Sequence, residues 1–163
     1  MKLTPTEKLI LSMLADIKLG TNDIDPAFVK EAIFQDNTWA LDWKYPDFDD
    51  SLVNNPVEVT DVVDIMATWS ILEDSYNRLD AGERAVIGRL PLFGFDGNNE
   101  SKHLNVANFL IDYLDRFSTF KGRVENTHCP RLHSYKVMVK TYKSNNMSDP
   151  LDSTQIQRLL KVL

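Results

Sequence analysis

Residues 93–103, FGFDGNNESKH, set two glycines and a run of acid and amide residues beside two phenylalanines and a histidine. A glycine loop leading into a helix can cradle phosphate on free backbone N–H groups. A Walker-type loop, however, closes on Gly-Lys-Ser/Thr, which is not found here, and the Gly-x-x-Gly spacing without a preceding strand is not a dinucleotide fingerprint. Asp96 and Glu100 also place negative charge where an anion would dock. The reading that accounts for most of the stretch is structural: Asp96 or Asn98 caps a helix, Glu100 sits in its first turn, and Phe93 and Phe95 pin the loop to the core. It leaves open whether Gly94 and Gly97 serve positive φ or the close approach of another backbone.

Two other groups carry side chains with chemical potential. His128-Cys129 with His133 has soft-ligand types, but zinc needs three or four converging donors and no second pair stands elsewhere in the chain. A capping histidine and a small buried cysteine are the plainer expectation. The same residues could form a Cys-His nucleophile pair, yet adjacent residues rarely aim their side chains at one another. Asp47, Asp49 and Asp50 alternate like calcium ligands but lack the glycine and the closing glutamate of an EF-hand, and read as a solvated acidic loop. No catalytic residue, no cofactor and no metal is expected.

The elements that must position these groups are helical. Thr4-Pro5-Thr6-Glu7 is a capping box with proline at the first helical position, followed by Leu9, Ile10, Met13, Leu14 and Ile17 at helical spacing and ended by Gly20. Asp25-Pro26 starts a second helix with Phe28, Val29, Ala32 and Ile33 inward. From residue 37 to 54 tryptophans, aspartates and Pro46 break the pattern, which reads as an irregular acidic and aromatic connection. Asn55-Pro56-Val57-Glu58 reads as a second capping box launching the longest helix, to about Leu79. Residues 80–92 fit a short helix and then an extended piece. Leu104 to Phe117 carry another broad apolar face, Pro130 opens a helix with Tyr135, Met138, Val139 and Tyr142 inward, and Asp152 with Gln155 caps the last. The expectation is an all-α, single multihelical domain of about six helices with at most a minor extended element. Residues 1–54 would form a helical pair plus the acidic connection, and 55–163 the helical core.

Composition limits the function. The 163 residues are 43% hydrophobic and 26% charged, ordinary for a globular chain. Charged residues interrupt every apolar run, so no membrane segment is expected; the N-terminal stretch reads as a helix and not a signal peptide. One cysteine suits a reducing cytoplasm. The net charge of −6 hides a split: residues 1–115 hold 9 Lys/Arg against 21 Asp/Glu, and residues 116–163 hold 9 against 3. Such a split can steer a partner or dock one half on the other. General nucleic-acid binding is disfavoured, since it needs a basic domain.

Taken together, LTPTEKLILSML, VVDIMATWSILEDSY, FGFDGNNE, FLIDYLDRF and NTHCPRLHSYKVMVKTYK resemble the YfbU family of small bacterial proteins. Cys129 between His128 and Pro130, and the acidic, tryptophan-rich segment 36–54, depart from that pattern. The resemblance implies a helical cytoplasmic protein and gives no catalytic residues to carry over. The matched positions that would carry a shared surface are Phe93, Gly94, Phe95, Asp96, Gly97, Asn98, Asn99 and Glu100, with Asn126 and His128.

The leading expectation is a non-enzymatic module that binds another protein and also itself, motivated by the charge split and the aromatic, acidic segment from Trp39 to Phe48. An alternative is an enzyme or small-ligand binder in which Asp96 and His128 converge, with Cys129 near. A second alternative is a nucleic-acid-associated regulator using Arg116, Lys121, Arg123, Arg131, Lys136, Lys140 and Lys143 as one basic face.

Overall fold

The computed structural model describes residues 3–17, 24–46, 55–147 and 149–163. Gly20, Phe48 and the cluster Asp47, Asp49 and Asp50 lie outside them. The described residues form eight α-helices: α1 (Pro5–Asp16), α2 (Pro26–Phe34), α3 (Trp39–Lys44), α4 (Val57–Arg78), α5 (Ala81–Ile87), α6 (Ser101–Asp112), α7 (Leu132–Ser144) and α8 (Ser153–Leu160). The minor extended element is a parallel pair, β1 (Gly94–Phe95) with β2 (Glu125–Asn126). The all-α expectation holds, with two helices more than six.

Capping chemistry fixes several boundaries. Thr4 on α1, Asp80 on α5 and Asp152 on α8 each complete a capping box with the residue three on. Two expectations are corrected. Asn55 does not cap α4: Pro56 holds the cap position without a side-chain bond, and the Asn55 side-chain Oδ1 accepts instead from the Trp43 indole N–H at 3.2 Å. The segment after 37 is not wholly irregular, because residues 39–44 form α3, whose Trp39 is buried against Phe109. Burial of that indole anchors a short helix where the aspartates and Pro46 hid any regular pattern.

α4 is the axis of the fold and packs on α6, α7 and α8. It buries Val59, Val62, Ile65, Met66, Trp69 and Leu72, and Trp69 meets Phe93 at 5.3 Å and Tyr135 at 5.6 Å between ring centroids. One apolar cluster runs from Phe28 to Leu159, so α2 and α3 share the core of the later helices.

The charge split closes on itself across α4. Lys136 reaches Asp61 at 2.8 Å, Lys143 reaches Asp64 at 2.6 Å and Arg123 reaches Glu73 at 2.6 Å. Arg116 lies over the Trp43 ring, 4.6 Å from its centroid. Four cations of the basic third therefore face acidic or aromatic groups of the same chain.

Candidate functional site

The 93–100 loop is built around two backbones in close approach. Glu125 N–H donates to the Phe93 carbonyl at 3.0 Å and Thr127 N–H to the Phe95 carbonyl at 3.1 Å, which sets β1 beside β2. A Cβ on Gly94 would stand 2.0 Å from the Glu125 carbonyl oxygen, so only glycine lets the strands meet. On Gly97 it would stand 2.6 Å from the Asn126 side-chain nitrogen. Neither glycine has a positive φ; both serve close approach, and what approaches is residues 125–126 of the same chain.

The loop's polar side chains bind backbone. Asn126 Oδ1 accepts from Gly97 N–H at 2.9 Å and from His128 N–H at 3.1 Å. Asp96 Oδ1 accepts from Asn98 N–H at 2.9 Å, an Asx turn, and its other oxygen accepts from the Asn99 amide. The Asn99 amide, then the Asn98 N–H, hold the Asp96 carboxyl below the usual carboxylate range. Neither Asp96 nor Asn98 caps α6, as the sequence suggested. Glu100 occupies that cap position and makes no side-chain bond there.

The Glu100 carboxylate turns away to α7. Glu100 is 6% exposed, and its Oε1 accepts from Arg131 N–H at 2.8 Å and Leu132 N–H at 2.7 Å. Its Oε2 accepts from Asp96 N–H at 3.0 Å. α7 has no cap from Arg131, and a carboxylate from 31 residues away supplies one. The Tyr135 hydroxyl, whose pKa is raised chiefly by burial, accepts from Gly94 N–H at 3.3 Å. Phe93, at 3% exposure, and the fully buried Phe95 pack against the Tyr135 ring.

The structure joins the backbones of Gly97 and His128 through the Asn126 side chain, next to the Asp96 turn. Asn98, Asn99, Asn126 and His128 form the exposed rim of the loop, whereas Phe93, Gly94, Phe95, Asp96 and Glu100 are buried. Cys129 is exposed, a correction to the expected buried thiol, because it sits in the turn before α7 with its carbonyl taken by the Thr127 hydroxyl. Among the described residues no three His, Cys, Asp or Glu side chains are grouped to hold a metal ion. Chemically, a carboxylate spread over three N–H groups locks two helix starts together.

An open cleft of about 610 Å³ lies between the α2–α3 junction and α6. Its amides satisfy one another: Asn37 donates to Asn105 at 2.6 Å and accepts from the Trp39 indole at 3.0 Å, and Asn105 donates to Gln35 at 3.4 Å.

A different surface departs from the pattern of a packed domain. α1 is joined to α2, and Lys8 to Asp36 at 2.6 Å and Lys30 to Asp16 clip the two helices. The α1 residues least exposed are Lys8, Ser12 and Ala15. The apolar stripe of Leu9, Ile10, Met13, Leu14 and Ile17 lies on the other side and is 52–62% exposed. Helical spacing marked these five as one apolar face without saying what it meets. The missed signal was the small pair Ser12 and Ala15, which lets α2 approach the opposite face. Phe34, whose carbonyl accepts from Lys8, adds an exposed ring on the same hairpin.

Residues 1–162 match the family described as the YfbU domain. A protein of Methanocaldococcus jannaschii called UPF0304 protein MJECS11 is 29% identical over 90 residues, which cover 51% of this chain. The chain spans about half, 54%, of the length of that curated relative. No solved structure matches. Among the described residues no helix is long and apolar enough to cross a membrane.

Proposed function

We propose that this chain, which belongs to the YfbU family, is a non-enzymatic module that works by binding protein through the apolar face of α1. The observation that supports this is the stripe of Leu9, Ile10, Met13, Leu14 and Ile17, bare on the side of α1 away from α2. Soluble chains rarely leave contiguous apolar surface beyond a few hundred Å², and larger patches mark interaction sites. The other large exposed apolar side chains, such as Val57, Val86 and Leu92, lie on separate elements. On this reading the 93–100 loop is scaffold: it sets the angle between α6 and α7 through Glu100 and leaves the recognition to α1. We place the protein in the cytoplasm, on the single cysteine that a reducing compartment suits.

The experiment is affinity capture with the tagged chain, comparing wild type with an Ile10→Glu/Met13→Glu variant and with Asp96→Ala. A protein partner lost with the α1 variant and kept with folded Asp96→Ala supports the reading. A partner lost only with Asp96→Ala moves recognition to the loop. A second reading, a small-ligand site on the rim of Asn98, Asn99, Asn126 and His128, draws on the Asn126 side chain, which holds Gly97 N–H and His128 N–H on one oxygen. It expects His128→Ala to abolish ligand-induced thermal stabilisation and the α1 variant to leave it intact.

A further inference from the structure

We infer that the α1 stripe is covered by the same stripe of a second copy of this chain, running antiparallel to it about a two-fold axis. This inference rests on the protein-binding reading above and names the partner. At about 100° per residue, Thr6, Leu9, Ile10, Met13, Leu14 and Ile17 fall within roughly 140° of the α1 circumference. Lys8, Ser12 and Ala15, the face toward α2, fall on the opposite side, so the stripe points away from the body of the molecule.

Three properties of the stripe select a second copy. Its spacing, three-one-three-one-three from Thr6 to Ile17, reads the same in both directions. An antiparallel copy therefore meets it in register, with Leu9 facing Leu14, Ile10 facing Met13 and Thr6 facing Ile17 across the axis, as an isologous interface requires. Its size fits a modest, concentration-dependent interface: the five apolar residues of the stripe are 52–62% exposed and leave on the order of 500 Å², below the ~800 Å² per partner of a standard interface and within the range of weaker ones. Its chemistry also fits a protein surface better than a lipid one. Membrane-lying helices carry Lys and Arg on the polar face, whereas here Lys8 is held by Asp36 and the other described charges of α1 are Glu7 and Asp16.

The test uses the full chain with Cys129→Ser. Chains carrying Thr6→Cys and chains carrying Ile17→Cys are mixed and oxidised. The expected result is that the mixture cross-links several-fold more than either chain alone, and that adding Ile10→Glu and Met13→Glu removes the cross-link without loss of helix content by circular dichroism. Equal cross-linking of Thr6→Cys chains with themselves overturns the antiparallel pairing. No cross-link at high protein concentration overturns the second copy. If the α1 variant still loses a captured protein in that case, the broader protein-binding reading stands; if it does not, both fall. Wild-type chain that sediments as monomer with phosphatidylserine vesicles overturns the inference in favour of a lipid surface.

Discussion

Glu100 Oε1 stands 2.7 Å from the backbone nitrogen of Leu132, so a side chain at the start of α6 caps the start of α7. The same carboxylate takes Arg131 N–H, and its second oxygen takes Asp96 N–H. One buried anion thus ties the loop, α6 and α7, and the positive end of the α7 dipole favours its charge.

Removing that anion should cost stability out of proportion to its size. Glu100→Ala leaves three N–H donors without their partner, and we expect a loss of about 2–4 kcal/mol from cap and hydrogen-bond terms together. Glu100→Gln keeps one acceptor oxygen and should lose roughly half as much. Urea midpoints measure both; a Glu100→Ala midpoint equal to wild type would contradict the cap.

The two glycines should differ in severity. Gly94→Ala drives a Cβ into the Glu125 backbone, which cannot yield without parting β1 from β2. A loss of about 3 kcal/mol or more, or failure to fold, is expected from overpacking of this kind. Gly97→Ala meets only the Asn126 side chain, which can turn away at the cost of its two hydrogen bonds, about 1–2 kcal/mol. Equal effects of the two substitutions would contradict the close-approach account.

Asp96 makes stability depend on acid. Its folded carboxyl holds its proton less readily than the unfolded one, so the unfolded chain binds more protons as pH falls. The stabilisation is fully present above the ordinary carboxylate value of 3.8 and is lost as pH drops through the lower folded value. Asp96→Asn should flatten the fall of the urea midpoint below about pH 4. Glu7, Asp25 and Glu58 are lowered as well, so part of the slope will remain.

Local signals were legible and distant ones were not. The capping boxes at Thr4 and Asp152 involve residues three apart, and both could be read from the sequence before any packing was known. The roles of Glu100 and Gly94 depend on residues 31 or 32 positions later, and no local pattern announces Leu132 or Glu125 as their neighbour. Helical spacing on α1 correctly marked an apolar face but could not say what it faces, because periodicity records amphipathicity and not the partner. α3 was missed because six residues between Thr38 and Tyr45 are too few for a period to stand out.

The ion pairs across α4 and α7 should contribute little each. Lys136 and Lys143 are more than half exposed, so Lys136→Met and Lys143→Met are expected to cost about 0.2–1 kcal/mol apiece. The cost should shrink at high ionic strength, where exposed charges are screened. A double-mutant cycle of Lys136 with Asp61 measures the coupling, and a coupling that grows with salt would contradict an electrostatic origin.

The central claim is that α1 offers an apolar face to a second copy, and light scattering on the eluted chain tests it most directly. The expected result is a mass of twice 18.7 kDa that persists at high salt, because the stripe carries no charge, and a mass of 18.7 kDa for Ile10→Glu/Met13→Glu. A wild-type mass of 18.7 kDa at every concentration and salt would contradict it.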